Sequence, residues 1–67
     1  TFKAKQEYEA LGRDIEALEA EKAQLHEALA SGQLSVEEIT AHSKRLPLLD
    51  EELDEKSMRW LELSEWA

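Results

Sequence analysis

The sequence contains no cysteine, only one proline and two glycines, and no long run of apolar residues. Without cysteine, neither a disulfide nor a thiolate metal site is available. The longest apolar runs, such as 46–49, are far shorter than the roughly 20 residues that a membrane-spanning helix requires. The N-terminus also lacks the basic and apolar segments of a signal peptide. We therefore predict a cytoplasmic protein without membrane contact.

Basic side chains are also scarce. Eight Lys and Arg residues stand against 16 Asp and Glu residues, which gives a net charge of −8 at pH 7. This excess argues against broad electrostatic attraction to nucleic acid or anionic lipid. Ala, Leu, Glu and Lys dominate instead, as is typical of long helices and coiled coils. A chain this short has room for one domain, and its helical opening without an initiator Met indicates an excised fragment.

Apolar residues recur at alternating spacings of three and four in two segments, as in a coiled coil. With Tyr8 at heptad position a, the first stripe is Tyr8, Leu11, Ile15, Leu18, Lys22, Leu25 and Leu29. The second stripe is Ile39, His42, Leu46, Leu49, Leu53, Lys56, Trp60 and Leu63. Between them, Gly32 is suited to end a helix, and Ser35 with Glu38 predicts a capping box.

We therefore predict an all-α fold, a two-helix antiparallel coiled-coil hairpin that forms a single domain over 1–67. The helices are expected at about 2–30 and 36–66, with a turn at 31–35. Pro47 removes a backbone hydrogen bond inside the second helix, so we expect a kink there. A structural kink is the preferred interpretation, and a functional hinge is the alternative.

The two stripes can be aligned in registers that differ by one heptad. The preferred register pairs Leu25 with Ile39, Lys22 with His42, Leu18 with Leu46, Ile15 with Leu49, Leu11 with Leu53 and Ala4 with Trp60. The displaced register would place Lys22 on Leu49, Ile15 on Lys56 and Leu29 on His42, at a cost of about 1–3 kcal/mol for each buried polar group. The preferred register also predicts two ion pairs between flanking g positions, Glu7 with Arg59 and Glu21 with Arg45.

Catalytic and metal chemistry find little support in these residues. A two-helix hairpin has no cleft that could shift the pKa values of its carboxylates, so they are expected to form a solvated acidic face. His26 and His42 lack the further ligands of a metal site. The pair of Lys22 and His42 is expected to fix the register rather than to bind a ligand. We predict no catalytic residue, no metal site and no cofactor in this chain.

Aromatic and basic residues gather at the open end of the predicted hairpin, opposite the turn. The aromatic residues are Phe2, Tyr8, Trp60 and Trp66. The basic residues are Lys3, Lys5, Arg13, Lys56 and Arg59. Such a combination can stack on bases and contact phosphates. The same aromatics could instead pin the helix ends together or dock them onto a parent domain.

Two segments of the sequence resemble a known family. Residues 2–11, Phe-Lys-Ala-Lys-Gln-Glu-Tyr-Glu-Ala-Leu, and 15–21, Ile-Glu-Ala-Leu-Glu-Ala-Glu, are similar to the opening of the C-terminal coiled-coil domain of Uup-type ABC-F ATPases. Residues 59–63, Arg-Trp-Leu-Glu-Leu, resemble the Arg-Trp-Glu-Glu-Leu ending of that domain. The likeness spans nearly the whole chain. It departs from the family at Gly12, where a proline is common, and at Pro47, which interrupts a helix usually free of proline.

The resemblance implies an accessory C-terminal module of a cytoplasmic protein with two ATP-binding cassettes and no membrane domain. ATP and Mg²⁺ would bind the parent protein, upstream of this chain. The resemblance further implies that the module aids association with DNA or with the ribosome and its RNA, for which the five basic residues of the open end are the candidate contacts. The alternative is a structural coiled coil that forms a homodimer as a fragment or docks onto its parent domains.

Overall fold

A computed structural model of the chain describes residues 1–65 and contains two helices packed as a hairpin. Helix α1 spans Phe2–Ser31 and helix α2 spans Val36–Ser64. The predicted all-α hairpin is therefore confirmed. The predicted end of the second helix at 66 and the aromatic position Trp66 lie outside the described residues. Helix α2 continues through Pro47, and the kink there stays a prediction.

Local capping signals determine where the helices begin and end. The Thr1 side chain accepts a hydrogen bond from the Ala4 backbone N–H at 3.2 Å, at the start of α1. Gly32 ends α1 in the left-handed conformation with φ 70°, which a residue without Cβ adopts at little cost. Ser35 and Glu38 form a reciprocal capping box before α2. The predicted helix stop and capping box are both confirmed.

The two helices run antiparallel in a rod of 48 × 15 × 14 Å. Both predicted ion pairs are present and join opposite parts of the chain. Arg59 Nε donates to Glu7 Oε2 at 2.7 Å, and Arg45 Nε donates to Glu21 Oε2 at 2.8 Å. The later residue of α2, Arg59, thus pairs with the earlier residue of α1, Glu7, and this is the antiparallel order.

The predicted register is wrong. Lys22 forms a salt bridge with Asp50 instead of the predicted polar layer with His42. Asp50 lies about 12 Å from His42 along the axis of α2, so Lys22 meets a different part of that helix. Trp60 lies over Gly12, about two helical turns beyond its predicted neighbour Ala4. These contacts match the register displaced by one heptad. Pairs of the preferred register, such as Leu25 with Ile39 and Leu18 with Leu46, are rejected with it.

The displaced register avoids the expected penalty because its lysines reach the surface. The Lys22 and Lys56 side chains remain 37% and 33% exposed. Lys22 pairs with Asp50, and Lys56 Nζ lies 3.1 Å from Asp14 Oδ2. Their aliphatic stems can cover the stripe while the ammonium groups stay in water. Neither ammonium group is therefore buried, and this register does not carry the predicted cost for Lys22 and Lys56.

The core of the described hairpin is small. Among residues 1–65, only Leu49 and Leu63 are buried, with 0% and 4% of their surface exposed. Leu63 gains its neighbours from the displaced register, because the predicted one would place it beside the end of α1. Ile39 is 44% exposed, since that displacement carries it towards the turn. The register thus concentrates packing in the middle and at the open end of the hairpin.

Candidate functional site

The five predicted phosphate contacts fall into two groups. Lys56 pairs with Asp14, and Arg59 donates both to Glu7 and, at 3.1 Å, to Glu62. Lys3, Lys5 and Arg13 are exposed, and no ion pair within residues 1–65 includes them. The structure places all five in the part of the hairpin away from the turn.

The three cations without ion pairs all lie on α1. With Tyr8 at position a, Lys3 and Arg13 occupy heptad positions c and f on the outward face of a coiled-coil helix, and Lys5 occupies an e position beside the apolar stripe. Lys3 and Arg13 are separated by about 15 Å along the helix axis. These side chains can bind a ligand without first breaking an ion pair with a carboxylate.

Arg59 is held by its acidic neighbours. Its hydrogen bond to Glu7 lowers the pKa of that carboxyl, and the bonds to Glu7 and Glu62 raise the pKa of Arg59 itself. The bond from Arg45 lowers the pKa of Glu21 in the same way. A phosphate that approached Arg59 would have to compete with two carboxylates already in place.

The aromatic residues of the open end have different roles. The rings of Tyr8 and Trp60 are stacked, with centroids 5.0 Å apart and planes inclined by 18°. This pair joins the two helices, in agreement with the packing interpretation of Trp60. Phe2 is 75% exposed. Phe2 is therefore the aromatic residue of the described open end that offers a ring face to a ligand.

Sequence reasoning missed a groove on the other side of the open end. The two ion pairs predicted between g positions close one flank of the hairpin, while Gly12 and Ser57, at e positions, leave the other flank open. We call this opening the e-flank groove. Its lining consists of Gly12, Ile15, Glu16, Glu19, Ser57, Trp60 and Leu61, and its volume is about 390 Å³. The small residues at facing e positions were its sequence signal.

No packing contact within the described hairpin requires a glycine at position 12. A Cβ at this position would lie 3.5 Å from Trp60 Nε1, an ordinary van der Waals distance. Glycine in a helix interior costs roughly 0.5–1 kcal/mol relative to alanine. The hairpin therefore tolerates a less favourable residue where a methyl group would fit, and the floor of the e-flank groove stays open.

Other kinds of site find no support in the described chain. Within residues 1–65, no group of three or more His, Asp or Glu side chains is arranged to hold a metal ion. No helix of this part of the chain is both long and apolar enough to cross a membrane. The open end combines exposed cations on α1 with the groove on its e flank.

Comparison with known proteins agrees with this architecture. The family model described as the ABC transporter C-terminal domain matches residues 1–65. Searches of curated proteins and of solved structures found no match.

Proposed function

Because the chain belongs to the ABC transporter C-terminal domain family, we propose that this accessory domain helps its parent protein to bind nucleic acid. The membership makes the chain an accessory module of an ABC-type protein. We further propose that the parent is a cytoplasmic ABC-F ATPase of the Uup type. ATP and Mg²⁺ would then bind its cassettes and not this chain, and DNA or ribosomal RNA would be the partner.

The observation that carries this proposal is the free state of Lys3, Lys5 and Arg13. Each is exposed at the open end, and none is paired with a carboxylate within the described residues. Phe2, beside Lys3, offers an exposed ring that can stack on a base. A cluster of available cations next to an aromatic ring supports contact with a phosphate backbone and an unpaired base.

The net charge of −8 limits how strongly the isolated domain binds. Three phosphate contacts would give a salt slope of about −3 for a DNA duplex, and a smaller slope for a single strand. Such weak binding suits a module that adds to the contacts of a parent. Lys56 and Arg59 remain candidates of lower rank because binding there would disrupt existing ion pairs.

The test replaces Lys3, Lys5 and Arg13 together by glutamine and measures affinity for duplex DNA and for structured RNA over a range of salt concentrations. We expect weaker binding to every sequence and a slope close to zero, because each lost phosphate contact removes about one unit of slope. Lys44→Gln is the matched control for a single substitution such as Lys3→Gln. Lys44 is also exposed and without an ion pair in residues 1–65, but it lies towards the turn.

Unchanged affinity and slope in the triple variant would refute the assignment of these contacts. If Lys44→Gln weakens binding as much as Lys3→Gln, then contact depends on overall charge and not on the open end. Helicity, measured by circular dichroism, should be the same in all variants because every substituted side chain is exposed.

A further inference from the structure

We propose that the e-flank groove binds an amphipathic helix of a partner protein, one that carries lysine or arginine beside bulky apolar residues. This role is separate from nucleic-acid contact, since none of Lys3, Lys5 and Arg13 lines the groove. Its occupant would convert the open end of the two-helix hairpin into a three-helix bundle. The proposal stands or falls without regard to the nucleic-acid function.

The groove exposes large apolar side chains in a chain that is otherwise highly charged. Leu61, in its wall, is 59% exposed, and Met58, which adjoins Leu61 on the outer side of α2, is 66% exposed. Ile15 and Trp60 supply the remaining apolar lining. Apolar side chains that line a groove in this way suit the apolar face of another helix.

The indole of Trp60 also offers an available donor. Its Nε1 atom lies over Gly12, and no hydrogen bond within residues 1–65 uses it. The described chain contains no buried side-chain donor without a partner, so this N–H is open to solvent in the groove. A side chain or carbonyl of a bound helix could accept it.

The acidic side chains around the groove favour a partner helix that carries basic residues. Glu16 and Glu19 line the groove on α1, while Glu62, which is already paired with Arg59, and Glu65 flank Met58 and Leu61. Neither Glu16 nor Glu19 forms an ion pair within residues 1–65, and no basic residue lines the groove. Basic residues of a partner would therefore find unpaired carboxylates on its rim.

The same charges argue against other occupants. A second copy of this chain would bring its own acidic rim and a net charge of −8 against this one. Phosphate groups of nucleic acid or anionic lipid would be repelled for the same reason. Gly12 supports a bound helix independently, because a methyl group would fit there within the hairpin and yet would narrow the floor of the groove.

The test titrates the isotopically labelled 67-residue chain with synthetic amphipathic peptides of about 20 residues, long enough to form a helix. One peptide has leucines at a and d positions and lysines elsewhere, a second replaces lysine by glutamate, and a third replaces leucine by serine. We expect only the first peptide to shift the backbone resonances of Gly12, Ser57 and Leu61 and the indole resonance of Trp60.

Substitutions in the groove have matched controls elsewhere. Leu61→Ser should weaken binding of the basic peptide at least about tenfold, because the partner loses apolar contact. Leu48→Ser should have no effect, since Leu48 is similarly exposed, at 52%, but lies towards the turn. Glu16→Lys with Glu19→Lys should reverse the preference and favour the acidic peptide. Far-ultraviolet circular dichroism must give the same helicity for each variant used in the comparison.

Several results would overturn the proposal. Equal binding of the basic and acidic peptides would remove the role of the acidic rim. Equal losses from Leu61→Ser and Leu48→Ser would show general hydrophobic association, and no shift at the groove with the basic peptide would rule out the site. If the groove resonances shift with the concentration of the chain alone, a second copy is the occupant, and the basic partner is rejected.

Discussion

Leu49 should carry a larger share of the stability than any other single side chain of the described hairpin. It is 0% exposed, whereas its neighbour Leu48 is 52% exposed on the same helix. Leu49→Ala removes about three methylene equivalents, worth about 2.4 kcal/mol in transfer free energy at roughly 0.8 kcal/mol each. A residual cavity adds to this loss, so the expected cost is about 2.7–5 kcal/mol.

This cost is comparable with the whole stability of the domain. A core in a chain of this length rarely supplies more than about 3–5 kcal/mol, so Leu49→Ala should leave the hairpin largely unfolded at room temperature. Leu48→Ala loses about half the area and leaves no cavity, and alanine is the better helix former. Its cost should therefore stay below about 1 kcal/mol.

Urea unfolding followed by circular dichroism would measure both variants against the original chain. The pair is matched because the chemical change, the helix and the effect on helix propensity are the same, and only burial differs. Equal losses in free energy of unfolding would contradict the reasoning. A loss below about 1 kcal/mol for Leu49→Ala would show that the side chain is not enclosed in solution.

Three further features can be tested by substitution. Reversing either charge of the Lys22–Asp50 pair should cost about 0.2–1 kcal/mol, and exchanging both should restore the free energy of unfolding; no restoration would reject the observed register. Ser35→Ala should cost about 0.5–2 kcal/mol in urea unfolding, and no loss would mean that the capping box is not formed. The hydrogen bonds that lower the pKa values of Glu7 and Glu21 should stabilise the fold above about pH 4.5 and stop doing so as the pH falls through the lowered values. The difference in melting temperature between the original chain and a Glu7→Gln, Glu21→Gln variant should therefore shrink below pH 4.5, and a constant difference would contradict this linkage.

The local features of the fold could be predicted because their causes lie within a few residues. Gly32 and Ser35 mark the turn through backbone conformation and capping, and neither depends on how the helices meet. The alternating stripes predict two helices with matching apolar faces, and a short connection makes them antiparallel. These inferences require no knowledge of side-chain contacts across the hairpin.

The two predicted ion pairs could not decide between the registers. In an antiparallel pair of helices, a g residue lies between two successive layers of the partner stripe, so one g–g pair can occur in two registers that differ by a heptad. Glu7 with Arg59 and Glu21 with Arg45 are present in the structure but do not distinguish these registers. The remaining choice rested on the cost of burying Lys22 and Lys56, which their surface ion pairs remove.

The residues of the candidate site could be predicted from the sequence, but which of them are free of ion pairs could not. The sequence places five cations at the open end, yet the pairing of Lys56 depends on the register. Lys56 meets Asp14 only because α2 is displaced by a heptad, whereas the pairs of Arg59 with Glu7 and Glu62 do not require that displacement. Lys3, Lys5 and Arg13 could therefore be separated from Lys56 only after the contacts across the hairpin were known.

The e-flank groove and the displaced register depend on each other. In the predicted register, Trp60 would lie beside Ala4 near the end of α1, and Gly12 would face a different part of α2. The observed displacement instead places the indole over Gly12 and brings Ser57 and Leu61 alongside it. The charge exchange at Lys22 and Asp50 is thus also a test of the groove's geometry, because a hairpin in the other register would separate the residues that line it.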